Sequence, residues 1–136
     1  MVRFRKILFP IAFSEAAVAM ASSVREMAQR FNASVTVLNA CNLAPEYISG
    51  PALDAPCDLK ERTIFFSPAL QEVRNQQERR LKEFVRTHFS GIGHTERIEI
   101  GDPAAVIEWV AKCEKTDLIM MPPEDWGGFA VCSWTR

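Results

Sequence analysis

The chain lacks a surplus of charge of either sign. Its 136 residues carry 16 lysines and arginines against 17 aspartates and glutamates, for a net charge of −1 and an isoelectric point near 6.1. Phosphate backbones are bound through clustered basic residues, so this balance gives no reason to expect nucleic acid as a partner. The composition supports no membrane role either. The ordinary share of hydrophobic residues, 48%, predicts a globular domain.

Cysteine is scarce, and no two cysteines lie close together in the sequence. They show no C-x-x-C pair and no histidine at metal-ligand spacing, which argues against a zinc site and a disulfide framework. We therefore expect reduced thiols and a cytoplasmic protein. A secretory signal is disfavoured because the apolar run from Ile7 to Phe13 is short and is broken by Pro10. The four cysteines are Cys41, Cys57, Cys113 and Cys132.

Catalytic motifs are also missing. His88 and His94 are the only histidines, and neither has an acidic or cysteine residue at the spacing of a triad or a metal site. The sequence contains no G-x-x-x-x-G-K-S/T loop and no H-E-x-x-H helix. Glu124 and Asp125 either bind a metal or act as a base, or they are solvated loop carboxylates. The second interpretation is favoured, so we predict no catalytic residue, no metal ligand and no enzyme.

What the sequence does contain is an alternation of strand and helix patterns. The apolar run from Lys6 to Ala12 is typical of a strand buried on both faces of a parallel sheet. Ser14 is placed to cap a helix from Glu15 to Phe31, whose apolar residues recur at intervals of three and four. The β-branched segment "ASVTVLNA" at 33–40 predicts a second strand. Together these segments make one βαβ unit.

The second half of the chain repeats this alternation within a single domain, 1–136. Residues 42–66 form a long internal loop rich in proline, and a helix begins after Ser67 and runs to Gly91. A strand follows at 95–100, then a helix capped by Asp102, and then a fourth strand at 117–122. Residues 122–136 form a divergent C-terminal tail, which has a glycine pair and no helical period.

Alternating strands and helices predict a parallel, doubly wound α/β sheet with right-handed crossovers. In such sheets a ligand binds beyond the carboxyl ends of the strands, at the point where the strand order reverses. The predicted binding residues are Pro10, Ile11, Ala12, Asn39, Ala40, Met121, Gly127 and Gly128.

The segments "KILFPIAFSEAA", "ASVTVLNA" and "IEIGDPAAVIEWVAKCEKTDLIMMP" carry a family resemblance. Their order and spacing are similar to those of a universal stress protein of the UspA type. The resemblance implies a Rossmann-like sheet of the adenine nucleotide alpha hydrolase-like class, with strand order 3-2-1-4 and a fifth strand that is missing or replaced. It also implies a role in the stress response and a homodimer.

The residues that bind ATP in such proteins do not recur here. Family members that bind ATP have an aspartate at the end of the first strand, and this position is Ala12. They also have a loop of the form G-x-x-G, nine residues, then G followed by Ser or Thr. Its first two glycines correspond to Pro122 and Asp125, and its last pair to Thr135 and Arg136. The resemblance therefore implies a degenerate pocket with weak or no ATP binding.

Two functions follow from these observations. The favoured one is a non-enzymatic regulatory or interaction module that needs no cofactor. The alternative is a member that binds ATP or AMP weakly through the backbone at the strand ends and hydrolyses ATP slowly. Phosphate chemistry needs a metal ligand or a cationic clamp, and the sequence indicates neither.

The segment "FAVCSW" at 129–134 has the composition of a strand. An uncovered fourth strand would expose an apolar edge, so this segment is expected to protect it. A parallel crossover needs about a dozen residues, more than separate the segment from Met121. It is therefore expected either to fold back as an antiparallel hairpin or to lie across a partner subunit. We predict a homodimer through the fourth-strand edge and the tail.

Overall fold

The computed structural model describes residues 4–41, 68–122 and 131–133. Strands and helices alternate along these residues as the sequence predicts, and one short strand follows at the end. The elements are β1 (Lys6–Ile11), α1 (Glu15–Phe31), β2 (Ser34–Cys41), α2 (Pro68–His88), β3 (His94–Ile100), α3 (Pro103–Cys113), β4 (Leu118–Met120) and β5 (Val131–Ser133). The predicted loop at 42–66 lies outside the described residues.

The strands form one sheet in the order β3-β2-β1-β4-β5. The first four strands are parallel, which confirms the predicted α/β class and the order 3-2-1-4. At the fifth position β5 runs antiparallel to β4, with Met120 opposite Val131 and Leu118 opposite Ser133. Of the two arrangements expected for "FAVCSW", the structure has the antiparallel one within the chain. The outer edge of β4 is thus already paired.

Helix α1 begins and ends where its capping residues predict. The Ser14 hydroxyl accepts a hydrogen bond from the Ala17 amide at 3.1 Å, and Asn32 ends the helix in the left-handed conformation, with φ of 51°. The regularly spaced apolar residues of α1 predict one face turned toward the sheet. The residues at the middle of that face are buried, but two at its sides are not. Val18 is 49% exposed and Phe31 39% exposed, because the buried face of a helix is narrower than its full run of apolar residues.

Two clusters of buried side chains cover the two faces of the sheet. Alternate residues of β1 divide between them, since successive side chains of a strand point to opposite faces. Phe9 packs with Phe84 and Phe89 on the face covered by α1 and α2. Leu8 packs with Val110 on the face covered by α3. No helix within the described residues is long and apolar enough to cross a membrane.

Among the described side chains of α2, those that enter the core belong to its second half. Leu81, Phe84 and Val85 are buried, whereas none of residues 71–80 is. Val73, which the sequence predicts to face inward, is 38% exposed. Arg80 lies beside Phe13, just past the end of β1. Because α2 runs back toward the amino ends of the parallel strands, its first half extends beyond their carboxyl ends.

The amino ends of the strands are joined by hydrogen bonds around Asp117. One oxygen of this carboxylate, Oδ2, accepts bonds from the backbone amides of Arg5 at 3.0 Å and Lys6 at 3.1 Å. The Asp117 amide donates to the Lys6 carbonyl at 2.9 Å, and the Ser34 amide donates to the Arg5 carbonyl at 2.9 Å. These contacts align the starts of β1, β2 and β4.

Candidate functional site

The first part of the site is the end of β1 and the turn into α1. Pro10 and Ile11 are buried, and Ala12, the next residue, is exposed. Phe13 follows with φ of 51°, an uncommon conformation for a bulky residue. This turn therefore presents a methyl group, and no carboxylate, just past the end of β1.

Arg80 is a residue at the site that sequence reasoning missed. Its guanidinium carbon lies 4.5 Å from the centre of the Phe13 ring, a cation–π contact. The segment "RNQQERR" at 74–80 is interpreted from its sequence as a solvated face, and Arg80 is indeed exposed. Only knowledge of where α2 passes the end of β1 would have identified it. The contact brings a positive charge next to the exposed Ala12 turn.

The second part of the site is the end of β2, where Asn39 is buried with 6% exposure. Its side-chain amide donates a hydrogen bond to the Ile11 carbonyl at 3.1 Å, and the two residues are register partners in the sheet. Asn39 therefore ties the ends of β1 and β2 together. Ala40, the next residue, is half-buried. The sequence signal was a polar side chain at the end of an apolar strand, which we interpreted only as a ligand position.

The third part of the site follows β4. Met121 is buried in the cluster beneath α3, and Pro122 is buried as well. Proline has no backbone N–H, so Pro122 cannot donate to a phosphate. The remaining predicted residues, Gly127 and Gly128, lie outside the described residues, as does Asp125.

Strand β3 also ends at this edge of the sheet, where the carboxyl ends of the parallel strands lie, and it leads into the capped start of α3. Gly101 has φ of 151°, which favours glycine. The Asp102 carboxylate accepts a hydrogen bond from the Ala105 amide at 3.1 Å, as predicted for the cap of α3. Asp102 thus has a structural partner at this end of the sheet.

Neither histidine lies in a catalytic or metal-binding group among the described residues. The His88 ring packs against Phe84 with centroids 4.5 Å apart, and His94 is hydrogen-bonded to the Ile92 carbonyl at 2.9 Å. No set of three or more His, Cys, Asp or Glu side chains within residues 4–41, 68–122 and 131–133 is placed to hold a metal ion.

The cysteines need one correction. Cys113, at the end of α3, is disulfide-bonded, so the expectation that all four thiols are reduced is wrong. The spacing of the cysteines along the sequence gave no signal for this bond, because the fold brings together residues that are far apart in the sequence.

The fold defines a class, the doubly wound α/β domains, in which ligands bind at the carboxyl ends of the parallel strands. The universal stress protein family matches residues 3–130, and the chain belongs to that family. No curated protein matches the chain.

Several solved structures have the same fold. A universal stress family protein from Burkholderia pseudomallei aligns with a TM-score of 0.65 at 18% identity, over 90% of this chain and 83% of that one. UspA from Lactobacillus plantarum aligns with a TM-score of 0.55 at 26% identity, over 89% and 78%. Protein Rv1636 from Mycobacterium tuberculosis H37Rv aligns with a TM-score of 0.53 at 12% identity, over 100% and 99%.

Proposed function

We propose that this chain is a non-enzymatic, regulatory universal stress protein whose strand-end site has weak or no affinity for ATP. The observation that carries the proposal is the exposed methyl group of Ala12 at the end of β1. A carboxylate there would accept a charge-assisted hydrogen bond from a sugar hydroxyl. Such a bond contributes about 1.5–3 kcal/mol, or roughly one to two decades in affinity.

The phosphate side of the site supports the same conclusion. Phosphates are held by backbone N–H groups that glycine allows to approach closely, and Pro122 offers no such donor. Three positions further on, the sequence has Asp125 in place of a second glycine. A carboxylate near a triphosphate repels it, so this half of the site favours release of the ligand.

The strand ends are also largely enclosed. Among the described site residues only Ala12 is exposed and Ala40 half-buried, whereas Pro10, Ile11 and Met121 are buried. The Ile11 carbonyl already accepts a hydrogen bond from Asn39. This carbonyl at the end of β1 is therefore already engaged within the protein.

One observation favours the alternative, a member that binds ATP or AMP weakly and hydrolyses ATP slowly. Arg80 places a guanidinium beside the Ala12 turn, and a cation there attracts an anionic ligand. The two functions differ in what the purified protein carries. Release of an adenine nucleotide on acid denaturation would favour the alternative, and its absence together with undetectable ATP turnover would favour the regulatory module.

Calorimetric titration with ATP tests the proposal directly. We expect no heat of binding at micromolar ATP for the wild-type protein. The double substitution Ala12→Asp with Pro122→Gly restores a carboxylate and a backbone donor, so it should bind more tightly than the wild type. Ala12→Ser is the matched control without a charge. A low-micromolar dissociation constant for the wild-type protein would refute the proposal.

The partner and the compartment are further parts of the proposal. We expect a homodimer, and because β5 pairs with β4 within the chain, the proposed contact is made by the outer side of β5 and the tail. A mass of one chain by light scattering at tens of micromolar would contradict it.

We propose a cytoplasmic location, which localisation of a tagged chain would test, although the bond at Cys113 provides no support for it.

A further inference from the structure

Strand β3 is the end of the sheet opposite β5. All seven of its residues, His94–Ile100, are register partners of β2 on one side. No strand within the described residues pairs with its other side. His94, Thr95 and Glu96 are exposed. An edge of this length is a template on which a second strand can form main-chain hydrogen bonds.

The face of β3 beneath α3 carries charge. Arg97 donates to Glu99 on the same strand, from Nε to Oε2 at 2.9 Å, and to Glu114 at the end of α3, at 2.8 Å. Its guanidinium carbon lies 5.1 Å from the centre of a Trp109 ring. We call Arg97, Glu99 and Glu114 the Arg97 cluster. Two of its members, Arg97 and Glu99, lie on the outermost strand, where apolar side chains would otherwise pack under α3.

The Arg97 cluster is ordered by its surroundings. Glu114 also accepts a hydrogen bond from the Thr36 hydroxyl at 2.6 Å, and that hydroxyl lies 3.0 Å from the hydroxyl of Thr95. The side chains of Arg97, Glu99 and Glu114 are 25%, 15% and 23% exposed. These charges therefore keep part of their hydration at the open side of the edge.

The protonation of Arg97 is secured by its partners. Burial alone would lower the pKa of the guanidinium, but the hydrogen bonds and negative charges of Glu114 and Glu99 outweigh burial and raise that pKa above its usual value. The cluster therefore holds one guanidinium between two acidic side chains, for a formal net charge of −1.

We propose that the Arg97 cluster prevents β3 from pairing with a β-strand of a second copy of this chain. A strand added along β3 would place its own side chains about 5 Å from Arg97 and Glu99 and would displace the water that still hydrates them. Removing that water carries a desolvation penalty, which opposes the gain from the added strand contacts. Charged residues pointing inward on edge strands are a known means of blocking such pairing.

The variant that tests the proposal is Arg97→Val with Glu99→Val and Glu114→Gln. It removes the charges together, so that no single ion is left unpaired, and glutamine keeps an acceptor for Thr36. In sedimentation velocity, the triple variant should form species larger than those of the wild type. It should do so at a protein concentration at least about tenfold lower than the wild-type protein would need. The control, Glu26→Ala with Arg30→Ala, removes an exposed ion pair on α1 and should sediment like the wild type.

A second substitution ties the association to β3. Adding Thr95→Lys to the triple variant places a charge back on the exposed part of the edge and should restore the wild-type sedimentation profile. If the triple variant does not fold, Arg97→Thr with Glu99→Thr and Glu114→Gln carries the same test with polar side chains and again leaves no single ion unpaired. An unchanged sedimentation profile in the folded variant, or association that Thr95→Lys leaves intact, would overturn the proposal.

Discussion

The two ends of the parallel strands are held together by different means. At the amino ends, the Asp117 carboxylate accepts two backbone hydrogen bonds near the surface. At the carboxyl ends, where the candidate site lies, the buried Asn39 amide binds the Ile11 carbonyl. A polar contact surrounded by protein has no water to replace it, so losing it costs more than losing one at the surface. The site end therefore depends on its internal bond, and a residue suited by position to ligand recognition has a structural role.

The largest expected effect is at the site end. Asn39→Ala leaves the Ile11 carbonyl buried without this donor and should reduce the free energy of unfolding by about 2–3 kcal/mol. Urea denaturation followed by tryptophan fluorescence measures the change. Ala12→Ser, at the exposed neighbour of Ile11, is the control and should be close to neutral. A loss below 0.5 kcal/mol for Asn39→Ala, on the order of a surface substitution, would mean that its bond to Ile11 contributes little to stability.

Asp117→Ala should have the next largest effect. Two amide groups lose a charged acceptor, but they lie where water can replace it, so we expect a loss of about 1–2 kcal/mol. Asp117→Asn keeps an acceptor oxygen and should lose less. Urea denaturation of these variants alongside Asn39→Ala ranks the amino and carboxyl ends of the strands by their contribution to the free energy of unfolding. A larger loss for Asp117→Ala than for Asn39→Ala would show that the amino ends contribute more.

Ser14→Ala tests the cap of α1, which adjoins the site without being part of its buried bond. Removing the hydroxyl that accepts from the Ala17 amide should cost about 1 kcal/mol. Ser14→Asp, which retains a capping oxygen, should remain near wild-type stability. Thermal unfolding by circular dichroism distinguishes the two, and equal midpoints for alanine and aspartate would show that the cap contributes nothing.

The smallest effect is expected for the exposed pair Glu26 and Arg30, remote from both strand ends. The pair lies four residues apart on α1 with side chains 62% and 73% exposed. Replacing both residues with alanine should change stability by about 0.5 kcal/mol or less. A larger loss in chemical denaturation would indicate that surface ion pairs, rather than buried contacts, determine the stability of this fold.

The fold was predictable because its signals are local and mutually consistent. Ser14, Asp102 and the β-branched run before Asn39 each indicate an element boundary from neighbouring residues alone. The sequence did not decide whether β5 folds back as an antiparallel hairpin or lies across a partner subunit, since its apolar composition suits both arrangements. The placement of Arg80 over Phe13 and the bond of Cys113 depend on distant segments meeting, and no spacing along the chain reports that. Asn39 was identified as a site residue for its position, whereas its observed contact is with Ile11.

The first half of α2 also has a consequence for handling the protein. Residues 71–80 bury no side chain, so the turns that hold them gain little from the core and open at low cost. Their amides should exchange with solvent deuterium well before those of Leu81 to Val85, and trypsin should cut after Arg74 or Arg79 ahead of any site in the sheet. A fluorophore attached there would report on an approaching partner while the packing around Phe9 stays undisturbed.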